Sequence, residues 1–205
     1  MTTPDLTGLR IIHRAMRGDL HRLVALTEHL TATTPTRAKA IAHFVGRVTH
    51  TIHQHHTRED EIVWPLIERS AGAAADLSDL TEDHSLLDPL LNEAEAAANA
   101  FAAGGDAKPL HLVLKRLSEL LDEHIEEEER RIFPVVLQYV TEKDWADAEI
   151  QIRKGADIRF DLCWIGQYAT PEEMARIRRL GGPVVALMVA LLRPGHRRRQ
   201  RLIFG

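Results

Sequence analysis

The sequence predicts an all-α fold: an up-down-up-down antiparallel four-helix bundle with a short helical C-terminal extension. Three observations lead there. Apolar residues recur at helical spacing, as in Leu9, Ile12, Ala15, Met16, Leu20 and Leu23. Strand signals are nearly absent, with no sustained alternation and no Asn-Gly hairpin. Breaker residues divide the chain up to Val140 into four stretches of about 25 to 35 residues, which suits a bundle with short connections. With 205 residues, 44% of them hydrophobic, the chain is long enough to bury a core.

Each helix has its own start and stop signals. The first is expected from Asp5 to Leu30 and ends in Thr31-Ala-Thr-Thr-Pro35. Thr34 caps the second, with Pro35 in its first turn. That helix is expected over Thr36 to Arg69, interrupted by Pro65 and closed by Ser70-Ala-Gly72. The third is expected from Leu77 to Ala103, kinked at Pro89 and stopped by Gly104-Gly105. The fourth runs from Pro109 to Val140, with Pro134 near its end. Beyond it, Thr141-Glu-Lys-Asp144 and Thr170-Pro-Glu-Glu173 open two further helices, and Gly181-Gly-Pro183 ends the second. The expected organisation is a bundle over residues 1–140 and a helical extension with an arginine-rich tail over residues 141–205.

Composition removes several classes. The lone Cys163 excludes a disulfide scaffold and any cysteine-ligated zinc or iron–sulfur site. The opening MTTPDLTGLR lacks the apolar core of a secretory signal, and the run from Val184 to Leu192 falls short of the roughly 20 residues of a membrane span. A cytoplasmic location without a membrane partner is therefore expected. Net charge is −4, yet Met174 to Gly205 holds eight arginines and no acidic residue, which leaves −12 on residues 1–173. No helix-turn-helix accompanies these arginines, so nucleic acid is not an expected partner. They read instead as a solubilising end or a clasp onto the acidic bundle. The Val184–Leu192 run reads as a packing helix, and a homodimer through the extension is one use for it.

Twelve histidines against two tyrosines point to where the chemistry lies. Two segments match each other: His55-His-Thr-Arg-Glu59 followed by Trp64-Pro65, and His124-Ile-Glu-Glu-Glu128 followed by Phe133-Pro134. In each, His and Glu stand at i and i+4, on one helix face about 5–6 Å apart at Cβ. A histidine precedes each motif by one helix: His13, 42 residues before His55, and His84, 40 before His124. Antiparallel packing brings four imidazoles and two carboxylates to one depth. Burying them without a cation would cost several kcal/mol per group. Nitrogen-rich ligation with two carboxylates suits iron, manganese or zinc rather than calcium or magnesium.

These motifs resemble the hemerythrin-like (HHE cation-binding) family over about residues 9 to 140. The resemblance implies a pair of non-haem iron ions, with manganese or zinc as substitutes, ligated by His13, His55, Glu59, His84, His124 and Glu128. It implies small-molecule partners of the class of O2, H2O2 or NO. The ferritin-like carboxylate bundles differ, because they carry Glu-x-x-His and no histidine here has Glu three positions before it. Two departures from the oxygen carriers stand out. Their second third-helix histidine is replaced by Asp88, and the aspartate five residues after the last histidine is replaced by Glu129. With one imidazole fewer, reversible oxygen carriage is weakened and peroxide chemistry, sensing or iron handling favoured. Three readings follow: a binding or sensing protein, a catalase-like enzyme, and a structural metal module whose basic tail recruits an acidic partner.

His56, Asp88 and Glu129 are further ligand candidates. His56 lies about 100° round the helix from His55 and is expected at the rim, paired with Asp60. His50 and His53 are read as lining the same region or as solvated. His21, His29, His43, His111 and His196 have no partner at chelating spacing. Trp64, Phe133 and Cys163 are read as core residues.

Overall fold

A computed structural model of the chain describes residues 3–154 and 158–205, apart from a few side chains between 158 and 186. Among the described residues the regular structure is helical throughout. Four long helices, α1 (Thr7–Glu28), α2 (Pro35–Arg58), α4 (Ser78–Ala102) and α5 (Ala107–Tyr139), form a closed ring of contacts: α1 on α2 and α5, α4 on α2 and α5. The short α3 (Trp64–Ala71) continues α2 after one wide turn, and α6 (Glu142–Ile152), α7 (Ile158–Tyr168) and α8 (Pro171–Phe204) follow α5.

Local chemistry accounts for the boundaries. Thr34 accepts the Arg37 backbone N–H ahead of Pro35, and Asp106 accepts from Lys108. Thr141 does the same for α6, and Thr170 with Glu173 forms a reciprocal capping box for α8. Gly72 and Gly104 take positive φ where α3 and α4 stop, a conformation side chains resist.

The structure differs from the sequence expectation at two breaks. The expected single second helix opens into a π-helical turn over Glu59–Val63, in which the Trp64 N–H bonds to the Glu59 carbonyl five residues back. Pro65 explains why: it has no N–H to give, and its ring would crowd the Glu61 carbonyl in an α-helix. At the second break, Gly182 leaves helical geometry (φ 64°, ψ −167°), as the Gly-Gly-Pro signal suggests, but the helix then resumes and runs to Phe204. It passes through Pro194 and Gly195 because its end is pinned to the bundle. Ile203 is buried in the core, Phe204 meets Phe44 edge-on, and Arg37 donates to the Ile203 carbonyl at 2.9 and 3.1 Å. Pro89 and Pro134 also lie inside continuous helices.

The core falls into two apolar clusters. One includes Met16, Leu20, Ile52, Leu87, Leu121 and Ile125; the other includes Val63, Trp64, Leu80, Ile132 and Phe133. Every helix of the ring carries polar side chains between the clusters: His13, His55, His56 and the following Glu59, His84, and His124 with Glu128. A polar layer thus sits inside an apolar column. Buried Asp19 on α1 ties α7 down, accepting from Trp164 Nε1 at 2.5 Å, Tyr168 Oη at 2.5 Å and Arg22 at 2.9 Å. Gly18 makes room, since a Cβ there would lie 2.3 Å from the Tyr168 ring. No helix is long and apolar enough to cross a membrane among the described residues.

Candidate metal centre

The polar layer resolves into two donor sets that share one residue. His56, Glu59, His84 and His124 form the first; His13, His55, Glu59 and Glu128 form the second. Within each set one ligand atom per residue lies within 4.8 Å of all the others. Ring nitrogens face each other in pairs: His13 Nε2 and His55 Nε2 at 3.1 Å, His84 Nε2 and His124 Nε2 at 3.2 Å. Two nitrogens on one ion at about 2.1 Å would stand about 3.0–3.4 Å apart, so both pairs suit a shared cation.

Glu59 joins the sets because of where it falls at the end of α2, as its C-cap. At about 100° per residue it projects about 40° from His55, between His55 and His56. Its Oε1 lies 3.1 Å from His55 Nε2 and its Oε2 3.6 Å from His84 Nε2. Glu128 serves one set, with Oε2 3.4 Å from His13 Nε2.

Outside this layer stand carboxylates that hold the imidazoles by their far nitrogens. His13 Nδ1 lies 3.0 Å from Glu129, His84 Nδ1 2.9 Å from Asp60, and His124 Nδ1 3.2 Å from Asp83. An Nδ1–H donated outward leaves Nε2 as a bare acceptor aimed inward, the tautomer a metal needs. The hydrogen bond from His13 holds Glu129 below the usual carboxylate range. Aromatic rings complete the walls: Trp64 stacks on His84 and Phe133 on His13, both at 5.9 Å. The aromatic-proline pair of each repeat therefore backs the histidine donated by a neighbouring helix.

Burial and neighbouring charge govern the electrostatics of the layer. Burial pushes Glu59 well above the ordinary carboxylate value, with the Glu128 charge adding to it, and burial raises Glu128 too. Burial lowers His55 and His56 well below 6.5, lowers His84, and brings His124 to about 4. Both ring nitrogens of His56, both Glu59 oxygens and Glu128 Oε2 are buried with no hydrogen-bond partner. Orphaned donor atoms pointing into one space are the feature a cation explains. The residues present fit a pair of transition-metal ions.

All six ligands expected from the repeat lie in this layer. Of the three further candidates, His56 joins it, stacked on His84 at 4.4 Å, while Asp60 pairs with His84 instead of His56. Glu129 stands behind His13. Asp88 lies outside, paired at the surface with His53 at 2.9 Å. His56 thus brings a fifth imidazole into the layer. Its signal was present in the sequence, because a carboxylate between two adjacent histidines faces both. His21 binds Asp122 at 2.6 Å, buried His196 meets Gln167, and His43 and His50 are exposed.

Comparison with curated proteins and with solved structures yields no match. A family model, the hemerythrin HHE cation binding domain, matches residues 6–136 and so spans all seven donor residues and most of the bundle. The chain belongs to the hemerythrin HHE cation-binding family, a family of metal-binding domains.

Proposed function

We propose that the chain holds two non-haem iron ions in an up-down-up-down bundle over residues 1–140, and that it binds or senses oxygen, peroxide or nitric oxide there. Residues 141–205 form an appended extension on this reading. The observation that carries it is the set of orphaned atoms on His56, Glu59 and Glu128, buried among five imidazoles and two carboxylates. Iron, when bound, would supply open coordination positions and electrons for such ligands.

The protein's own residues do the rest. Glu59 spans the two sets and keeps them adjacent. Glu129, Asp60 and Asp83 accept from Nδ1 of His13, His84 and His124 and fix the rings. The apolar clusters on either side, with Trp64 and Phe133 against the rings, keep bulk water out. His55 is the least buried donor, 9% exposed, which puts the approach of a small molecule on its side of the site.

The five-imidazole count favours binding or sensing over peroxide decomposition, because the deficit expected from Asp88 is made up by His56. Visible absorption of iron-loaded protein tests this. A change on adding oxygen or nitric oxide that reverses on its removal supports binding. Sustained oxygen evolution from peroxide would move the assignment to the catalase-like alternative, and a protein inert to all three would refute both.

A further inference from the structure

The part of α8 after Gly182 carries a surface that the metal centre does not use. Its inner face is committed to the protein: Ile203 in the core, His196 on Gln167, and Gln200 accepting from Arg22. Its outer face exposes Leu187 (61%), Leu191 (70%) and Leu202 (41%). Positions 187 and 191 are one turn apart, and 202 follows 191 by eleven residues, about three turns, so the leucines form one stripe. Arg198 falls within that stripe, and Arg197 and Arg201 flank it. No described acidic side chain pairs with these three arginines, and none occurs in the sequence between Met174 and Gly205. The leucines and arginines share a face only because the helix continues through Pro194 and Gly195.

We propose that this face of α8 docks on an anionic lipid surface. The leucines enter the headgroup boundary while the arginines meet lipid phosphates, as an interfacial basic amphipathic helix does. Charge complementarity selects the partner. Two α8 helices laid together would oppose arginine to arginine, which disfavours a second copy. A nucleic acid would engage the arginines but give three exposed leucines nothing to contact. Docking at the surface needs no spanning segment, so the lack of a long apolar helix among the described residues does not bear on it.

The test uses the full chain in co-sedimentation with phosphatidylcholine vesicles, with and without phosphatidylglycerol. Two variants accompany it, Leu187→Ser/Leu191→Ser and Arg197→Gln/Arg198→Gln/Arg201→Gln, each checked for an unchanged melting temperature. The expected result is binding to the phosphatidylglycerol vesicles about tenfold tighter than to the neutral ones, weakened by raised salt. Each variant is expected to bind several-fold more weakly. Three results would overturn the proposal. One is no vesicle binding. Another is equal binding to duplex DNA that survives the leucine substitutions. The third is self-association, lost in the leucine variant, in a protein that ignores vesicles.

Discussion

The ring of His56 lies face to face with that of His84, 4.4 Å between centroids and 19° from parallel, although one belongs to α2 and the other to α4. Adjacent residues of one helix, His55 and His56, thereby serve opposite halves of the site, with Glu59 between them. Replacing His56 by alanine should lower bound metal from about two ions per chain to about one, because its set falls from four donors to three. Asp88→Ala and His53→Ala should leave metal content unchanged. Elemental analysis of the three variants checks this, and equal loss in all of them would show that the surface pair matters as much as the ring.

Glu59 should trade stability against function. Its carboxylate is buried with both oxygens unpartnered, so the metal-free fold bears its desolvation. Glu59→Gln keeps the shape and removes the charge. Metal-free Glu59→Gln should be more stable than the metal-free parent by about 1–3 kcal/mol. It should also lose the stabilisation that metal gives the parent. Thermal melts with and without metal read both effects, and a less stable metal-free variant would argue that Glu59 is satisfied in the apo fold.

Acid should weaken the metal-free protein. His55, His56, His84 and His124 have folded values below 6.5, with His124 at about 4. Between about pH 4 and 6.5 the unfolded chain therefore binds more protons at these rings, and stability rises with pH. Their contribution is lost as pH falls through 6.5 towards 4. Glu59 and Glu128 act in the opposite sense, since their raised values let the folded chain hold protons above pH 4.5. Four imidazoles against two carboxylates leave a net rise. Urea midpoints at several pH values should climb from pH 4 to 6.5, and a flat or falling series would contradict the assigned neutral rings.

Asp19 should matter to the fold and not to the metal. Asp19→Ala strands the Trp164 and Tyr168 donors and leaves Arg22 without its carboxylate, a loss of about 2–4 kcal/mol. Denaturant midpoints should fall while iron content per folded chain holds. A fall in iron content at full folding would link α7 to the centre directly.

Much of the site was legible in the sequence because its logic is helical. His55 with Glu59, and His124 with Glu128, share a face by spacing alone, and the repeat pointed to His13 and His84 on the preceding helices. His56 was harder to read. Its neighbour Asp60 offered a plausible surface partner, and only packing shows Asp60 turned towards His84. The π-turn was also hidden, since Pro65 announces a disturbance but not its geometry. Towards the C-terminus, the Gly181-Gly-Pro183 signal corresponds to a real departure from helical geometry at Gly182. The helix nevertheless continues through Pro194 and Gly195 to Phe204, where anchoring of Ile203 and Phe204 is a long-range effect that local propensity does not carry.

Anaerobic titration of the metal-free protein with ferrous iron tests the central claim most directly. Binding should saturate at about two ions per chain in the wild type and largely vanish in Glu59→Ala, whose circular dichroism should stay helical. Saturation at one ion, or an isotherm that Glu59→Ala leaves unchanged, would contradict a centre in which one carboxylate joins two metal positions.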